Sequence, residues 1–317
     1  MRNLLLTLLK LAVSVALIAW ALSGIEINEV VSKILDARIA WLVTAALFFA
    51  LLVGLGTTRW HLVLRGIGVR LPAATTLRLF FVGMFFNQTL PSSIGGDATR
   101  VFYLWRAGTP MQTSVNSVLL DRIFGLVILI LVTSALAPML VARLDGSVAA
   151  TGLILVLVAG WTAMVLLLVV DNRIVRRLVH FRLISIGLSI SRDARSLVRQ
   201  PAISGSTLLV SLAIHTVTVG IVWCLDHALG GNAGFLIYVA AMSPTLLLVS
   251  IPVSIAGWGV REQILVVLLG TFGVDPTHAV SVSILFGILL LVGGIPGGFI
   301  WLSMRGNRNV ESSTKID

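Results

Sequence analysis

The sequence predicts an all-α membrane protein: about six transmembrane helices plus two re-entrant helical hairpins, arranged as an inverted repeat. Three observations lead there. Of 317 residues, 57% are hydrophobic and only 11% are charged, with mean hydropathy +1.04. A soluble domain of this size cannot hide that much apolar surface. Apolar runs of roughly 20 residues, the length that crosses a bilayer, recur along the chain. Two further apolar stretches are interrupted by matched proline–glycine breaks.

The expected spans are 4–23, 39–58, 115–142, 149–170, 204–229 and 279–302. The first could pass for a signal peptide. It lacks a convincing small-x-small cleavage site before the next polar loop, and more spans follow, so it reads as a retained helix. Residues 1–304 form one polytopic membrane domain, and 305–317 a cytoplasmic tail expected to be disordered.

The net charge of +10 does not indicate a nucleic-acid partner, because the basic residues sit in short loops between apolar runs. Loop 59–78 holds Arg59, Arg65, Arg70 and Arg78; connector 171–203 holds seven arginines; the tail adds Arg305, Arg308 and Lys315. The opposite loops hold Lys33, Arg38 and Arg143. This asymmetry places both termini in the cytoplasm of a bacterial inner-membrane protein. Connector 171–203 also carries Val175, Leu178, Val179, Arg182 and Ile186 at helical spacing. It reads either as an amphipathic helix on the cytoplasmic leaflet or as a solvated basic linker.

The two stretches that do not fit as spans are 77–112 and 234–272. The first carries Pro91-Ser92-Ser93-Ile94-Gly95-Gly96-Asp97-Ala98-Thr99-Arg100, the second Pro252-Val253-Ser254-Ile255-Ala256-Gly257-Trp258-Gly259-Val260-Arg261. Five of these ten positions match at a shift of 161 residues. The flanking spans repeat too, giving repeat 1 at about 39–142 and repeat 2 at about 204–302. With both termini on one side, the hairpins enter from opposite faces. Paired broken helices at corresponding positions of inverted repeats are the layout of a secondary transporter, with the site where the breaks meet.

Each break carries its own chemistry. Proline stops the first half-helix, and glycine permits a tight turn. The second half-helix then presents free N–H groups and its positive end inward, an anion site suited to phosphate or carboxylate. Arg100 and Arg261 lie about one turn further on, placed to clamp a phosphate. Asn87, Gln88, Ser93 and Ser254 add hydrogen-bonding groups, and Gly95, Gly96, Gly257 and Gly259 allow close approach. The competing reading makes the breaks packing devices and sends each arginine to an interface.

Asp121 and Arg122 sit in an otherwise apolar span, where ionisable groups face the interior or a cavity. They read as headgroup-binding or gating residues, or as ion pairs with Arg100 or Asp97. Glu262 pairs with an arginine or carries a proton. Arg59-Trp60 reads as a snorkelling arginine beside an interfacial tryptophan. The five histidines lack ligand spacing, and His215 reads as a packing residue. No metal or cofactor is expected. There is no Walker-A loop, Gly-x-Ser-x-Gly elbow or His-Glu-x-x-His helix.

Arg59-Trp60, Asn87, the run from Pro91 to Arg100, Asp121-Arg122 with Gly125, and Gly257 to Glu262 together resemble the flippase-like membrane domain of lysylphosphatidylglycerol synthases. That group includes stand-alone proteins of the UPF0104 type, and the resemblance covers nearly the whole chain. It implies binding and transbilayer movement of a phospholipid or a polyprenyl-phosphate-linked lipid. The chain departs from the bifunctional synthases in lacking their soluble aminoacyl-transferase domain. The expected partner is therefore a membrane lipid with an anionic headgroup. Two rival readings remain: a non-transporting partner of a glycosyltransferase or lipid-modifying enzyme, and an integral membrane transferase using Asp97 or Asp121 as base.

Overall fold

The computed structural model describes residues 27–90, 95–169, 182–251 and 257–306, and these contain helix, turn and coil but no strand. The helices are α1 (Ile27–Leu35), α2 (Ile39–Gly66), α3 (Ala73–Thr89), α4 (Gly95–Arg106), α5 (Met111–Leu144), α6 (Val148–Val169), α7 (Arg182–Val198), α8 (Pro201–Ala228), α9 (Phe235–Val249), α10 (Val260–Gly270) and α11 (Pro276–Gly306). Helices α2, α5, α6, α8 and α11 are long and apolar enough to cross a bilayer, so the chain is a multi-pass membrane protein. They occupy five of the six expected spans. The sixth, 4–23, and most of the tail lie outside the described residues.

Local chemistry sets the boundaries. Helix α5 begins four residues before the expected span because Pro110 precedes it with φ −53, a value suited to entering a helix. Leu90 is extended, with φ −87 and ψ 144, as a residue before proline must be. That stops α3 short of a full span. In the second break, Gly257 and Gly259 hold φ of 82 and 85 before α10 starts. A side chain at Gly257 would be strained there, and its Cβ would lie 2.6 Å from Val249 Cγ1. Gly257→Ala should therefore destabilise the protein by about 2 kcal/mol, summing left-handed strain and the clash. Thermal unfolding in detergent micelles tests this, and an unchanged midpoint would refute it.

Helices α2 and α8 pack along one another. The Arg38 backbone N–H, just before α2, donates to Ala228 O at the end of α8 (2.8 Å). At the other end, Gln200 Nε2, just before α8, donates to Gly66 O at the end of α2 (3.0 Å). The two helices are therefore antiparallel over their full length. The arms of the breaks are exchanged between the halves: α3 packs on α11, and α9 packs on α5. Each second arm stays at home, α4 on α5 and α10 on α11.

The α3–α11 seam is close because Gly297 and Gly298 of α11 lie against Phe81 and Phe85 of α3, where any Cβ would collide. Small residues let helices approach in lipid, where hydrophobic drive between them is absent.

Helix α7 carries the described part of the basic connector. Its Ala194 and Leu197 are buried with Val63, Leu120 and Phe124 of α2 and α5. Asn116 Nδ2 donates to Ser189 Oγ (2.9 Å) and to Asp193 Oδ2 (2.6 Å). The Ala194 and Leu197 side of this helix therefore faces the protein interior. Val175, Leu178 and Val179 lie outside the described residues.

Candidate functional site

Five charged side chains from three helices form one continuous chain. Arg59 Nε of α2 donates to Asp121 Oδ1 of α5 (2.8 Å). Arg100 of α4 donates to Asp121 Oδ2 (3.2 Å) and to Asp97 Oδ1 (2.7 Å). Arg122 Nε of α5 donates to Asp97 Oδ2 (2.6 Å). Asp121, Asp97 and Arg100 are buried, while the Arg122 side chain is 39% exposed. Helical spacing explains the grouping: Asp97 and Arg100 stand three apart on one face of α4. In a low-dielectric interior each charge requires an opposite partner, and here every carboxylate serves two arginines.

Arg100 also stacks over Trp60 (4.9 Å to the ring centroid) and Phe80 (5.6 Å), with Trp60 wholly buried. The sequence reading of Arg59 as snorkelling and Trp60 as interfacial is corrected by these contacts. Asp121 draws the guanidinium inward, and Gly125 leaves room for it, since a Cβ there would lie 2.8 Å from Arg59 Nη1.

The second break repeats the device with other residues. Arg261 is buried between Trp258 (5.0 Å) and Phe286 (5.4 Å), pairs with Glu262 Oε1 (2.7 Å) and donates to Ser283 Oγ (2.9 Å). Gly287 supplies the space that Gly125 supplies in the first half. Both breaks thus hold a buried arginine paired with carboxylate and stacked on aromatic rings, which differs from the expected open phosphate clamp.

The half-helix ends are partly capped from within. Gly96 N donates to Asn87 Oδ1 (2.9 Å), and Gly259 N donates to Glu262 Oε2 (2.6 Å). Asn87 and Glu262 therefore take up two of the N–H groups expected to face an anion. Gly95 and Gly96 permit the α3–α4 approach, with Gly96 against Gly83 O. Gln88 faces Gly294 of α11. Ser93 and Ser254 lie outside the described residues.

A hollow of about 460 Å³ opens beside the ion chain, lined by Asp97 and Arg122, by Val101, Phe102, Val115 and Leu119, and by Ser250 at the end of α9. Asp97, Arg122 and Ser250 are its polar members and the rest of the lining is apolar, with Phe102 and Met111 themselves exposed. Ser250, two residues before Pro252, brings the edge of the second break to the first.

Residues that sequence reading missed include Phe80, Ser250 and Asp226. Asp226, at the end of α8, is buried and accepts from Tyr238 Oη (2.9 Å) and His278 Nε2 (2.7 Å), tying α8, α9 and α11 together. One signal was available: Asp226 is the lone acid in an apolar span. His215 bonds Ser243 Oγ through Nε2 (2.9 Å), while its buried Nδ1 has no partner among the described residues.

Comparison with known proteins adds two findings. The family model described as the lysylphosphatidylglycerol synthase TM region matches residues 7–297. The UPF0104 membrane protein PH1989 of Pyrococcus horikoshii is similar, 23% identical over 333 residues that cover 93% of this chain and 96% of that protein.

Proposed function

This chain belongs to the family of the lysylphosphatidylglycerol synthase TM region, and from that premise we propose that it binds a lipid with an anionic headgroup and moves it across the inner membrane. The observation that carries the reading is the hollow whose lining joins Asp97, Arg122 and Ser250 to apolar Phe102, Met111, Val115 and Leu119. A phosphate seats at Arg122, whose partly exposed guanidinium can give it a charge-assisted bond. The acyl chains leave along Phe102, Met111 and Leu119. Asp97, Asp121, Arg100 and Arg59 hold the shape and field of the cavity rather than gripping the guest directly.

On this reading the α3–α4 and α9–α10 pairs are re-entrant hairpins entering from opposite leaflets. The antiparallel α2–α8 pair and the exchanged first arms support an inverted repeat, the architecture in which rocking of one half against the other gives alternating access. The transferase reading has less support: the oxygens of Asp121 are engaged by Arg59 and Arg100, and those of Asp97 by Arg100 and Arg122. Two guanidiniums on each carboxylate compete with a substrate hydroxyl for its oxygens.

Purified protein in vesicles doped with labelled phosphatidylglycerol should accelerate its transbilayer movement. Arg122→Ala should slow that movement by about tenfold, the loss of one charge-assisted bond, while leaving a folded protein. Background movement of every anionic lipid by the native chain would defeat transport and favour a partner role. Equal movement with and without Arg122 would defeat its assignment to the headgroup.

A further inference from the structure

A second hollow, of about 640 Å³, lies on the outward face of α7, away from the ion chain, and is lined by Arg192, Arg195, Ser196, Arg199 and Gln200. The three arginines stand three and four residues apart, the spacing that stacks side chains on one helical face. The opposite face is fixed to the bundle. Leu197 and Ala194 are buried, Ser191 Oγ donates to Leu167 O (2.6 Å), and Asp193 is turned inward to Asn116. The nearest described carboxylate therefore points away from the arginines.

Two members of the hollow also serve helix ends. Arg195 donates to Leu168 O in the last turn of α6, and Gln200 to Gly66 O at the end of α2. Arg192 and Arg199 remain exposed, with no ion pair among the described residues. Two guanidiniums without carboxylates, on a helix that cannot rotate to hide them, create a localised positive field. Three guanidiniums with a hydroxyl and an amide match the several oxygens of a phosphate group. The hollow, of about 640 Å³, has room for one such group. It lies on the connector that the loop-charge pattern assigns to the cytoplasmic side, where basic pockets beside spanning helices meet phosphorylated headgroups.

We propose that this face of α7 is a second binding site for a phosphate-bearing anion, independent of the central hollow. The phosphate comes either from an anionic lipid of the adjoining leaflet or from a soluble phosphorylated compound. Two arms of one experiment separate these sources. In the first, native mass spectrometry counts phosphatidylglycerol retained by protein transferred from mixed phosphatidylcholine–phosphatidylglycerol nanodiscs. In the second, inorganic pyrophosphate is titrated against protein held in phosphatidylcholine alone.

The native protein, the Arg192→Gln/Arg199→Gln double variant and the conservative Arg192→Lys/Arg199→Lys variant are compared, with thermal unfolding as the folding control. The glutamine variant should bind about tenfold more weakly in whichever arm shows binding, and the lysine variant should recover most of the loss. In an Arg122→Ala background, which removes the central headgroup contact, the glutamine substitutions should still lower phosphatidylglycerol retention or pyrophosphate affinity, so failure of the central site is distinguishable from failure of this one. Equal phosphatidylglycerol retention and equal pyrophosphate affinity in native and glutamine proteins would overturn the proposal.

Discussion

Asp121→Asn should be among the most destabilising single substitutions in this protein, costing about 3–5 kcal/mol, the range for removing one partner of a buried ion pair. The carboxylate accepts from Arg59 at 2.8 Å and Arg100 at 3.2 Å and is itself 2% exposed. An asparagine keeps one acceptor oxygen but loses the charge, and its amide N–H₂ faces a guanidinium with like polarity. Arg59 then has no anion within reach among the residues described, and Arg100 must lean wholly on Asp97. Thermal unfolding in detergent should show a large drop in midpoint.

The ionic origin of the effect is separable from loss of packing. Arg59→Met combined with Asp121→Leu removes a cation with its anion and should restore part of the stability, because a buried pair replaced by apolar groups of similar volume is often neutral. If the double variant were as unstable as the single, desolvated charge would not be the cause.

The second large effect is expected at Gly96, the contact of the first hairpin. A Cβ there would collide with Gly83 O and lie 2.6 Å from Asn87 Cγ. Backbone cannot yield as a side-chain tip does, so α3 and α4 must separate and the Asn87 cap on Gly96 N must open. Overpacking of this kind costs about 3 kcal/mol. It also moves Asp97 and Arg100, since both ride on α4, so the polar lining of the hollow should be displaced. Gly96→Ala should therefore lower both the unfolding midpoint and the rate of labelled-lipid movement. Gly152→Ala on α6 is the matched control, because nothing lies within 4 Å of a Cβ there. A Gly96→Ala protein as stable and active as the Gly152→Ala control would show that the hairpin arms are not packed backbone to backbone.

Many of these features were legible in the chain before any fold was known. The five spans followed from run length and hydropathy, which depend on composition alone. The two breaks were visible because proline and glycine act locally on the backbone, and their matched order survived a shift of 161 residues. The grouping of Asp97, Arg100, Asp121 and Arg122 was open to suspicion, since charges in apolar runs seek partners. Which charge pairs with which was not. Arg59 looked like an end-of-span arginine, and only the packing of α2 against α5 turns it onto Asp121.

The boundary between the two kinds of information is therefore physical. By itself the sequence determined what acts over a few residues: membrane class, span positions, where helices stop, and which side chains cannot remain alone in lipid. The tertiary structure decided what acts between elements: that α2 and α8 are antiparallel, that α3 and α9 cross to the opposite halves, and that the arginines of both breaks are already paired and stacked. Those outcomes depend on distances between residues far apart in the chain, set by close packing, which a one-dimensional pattern does not encode.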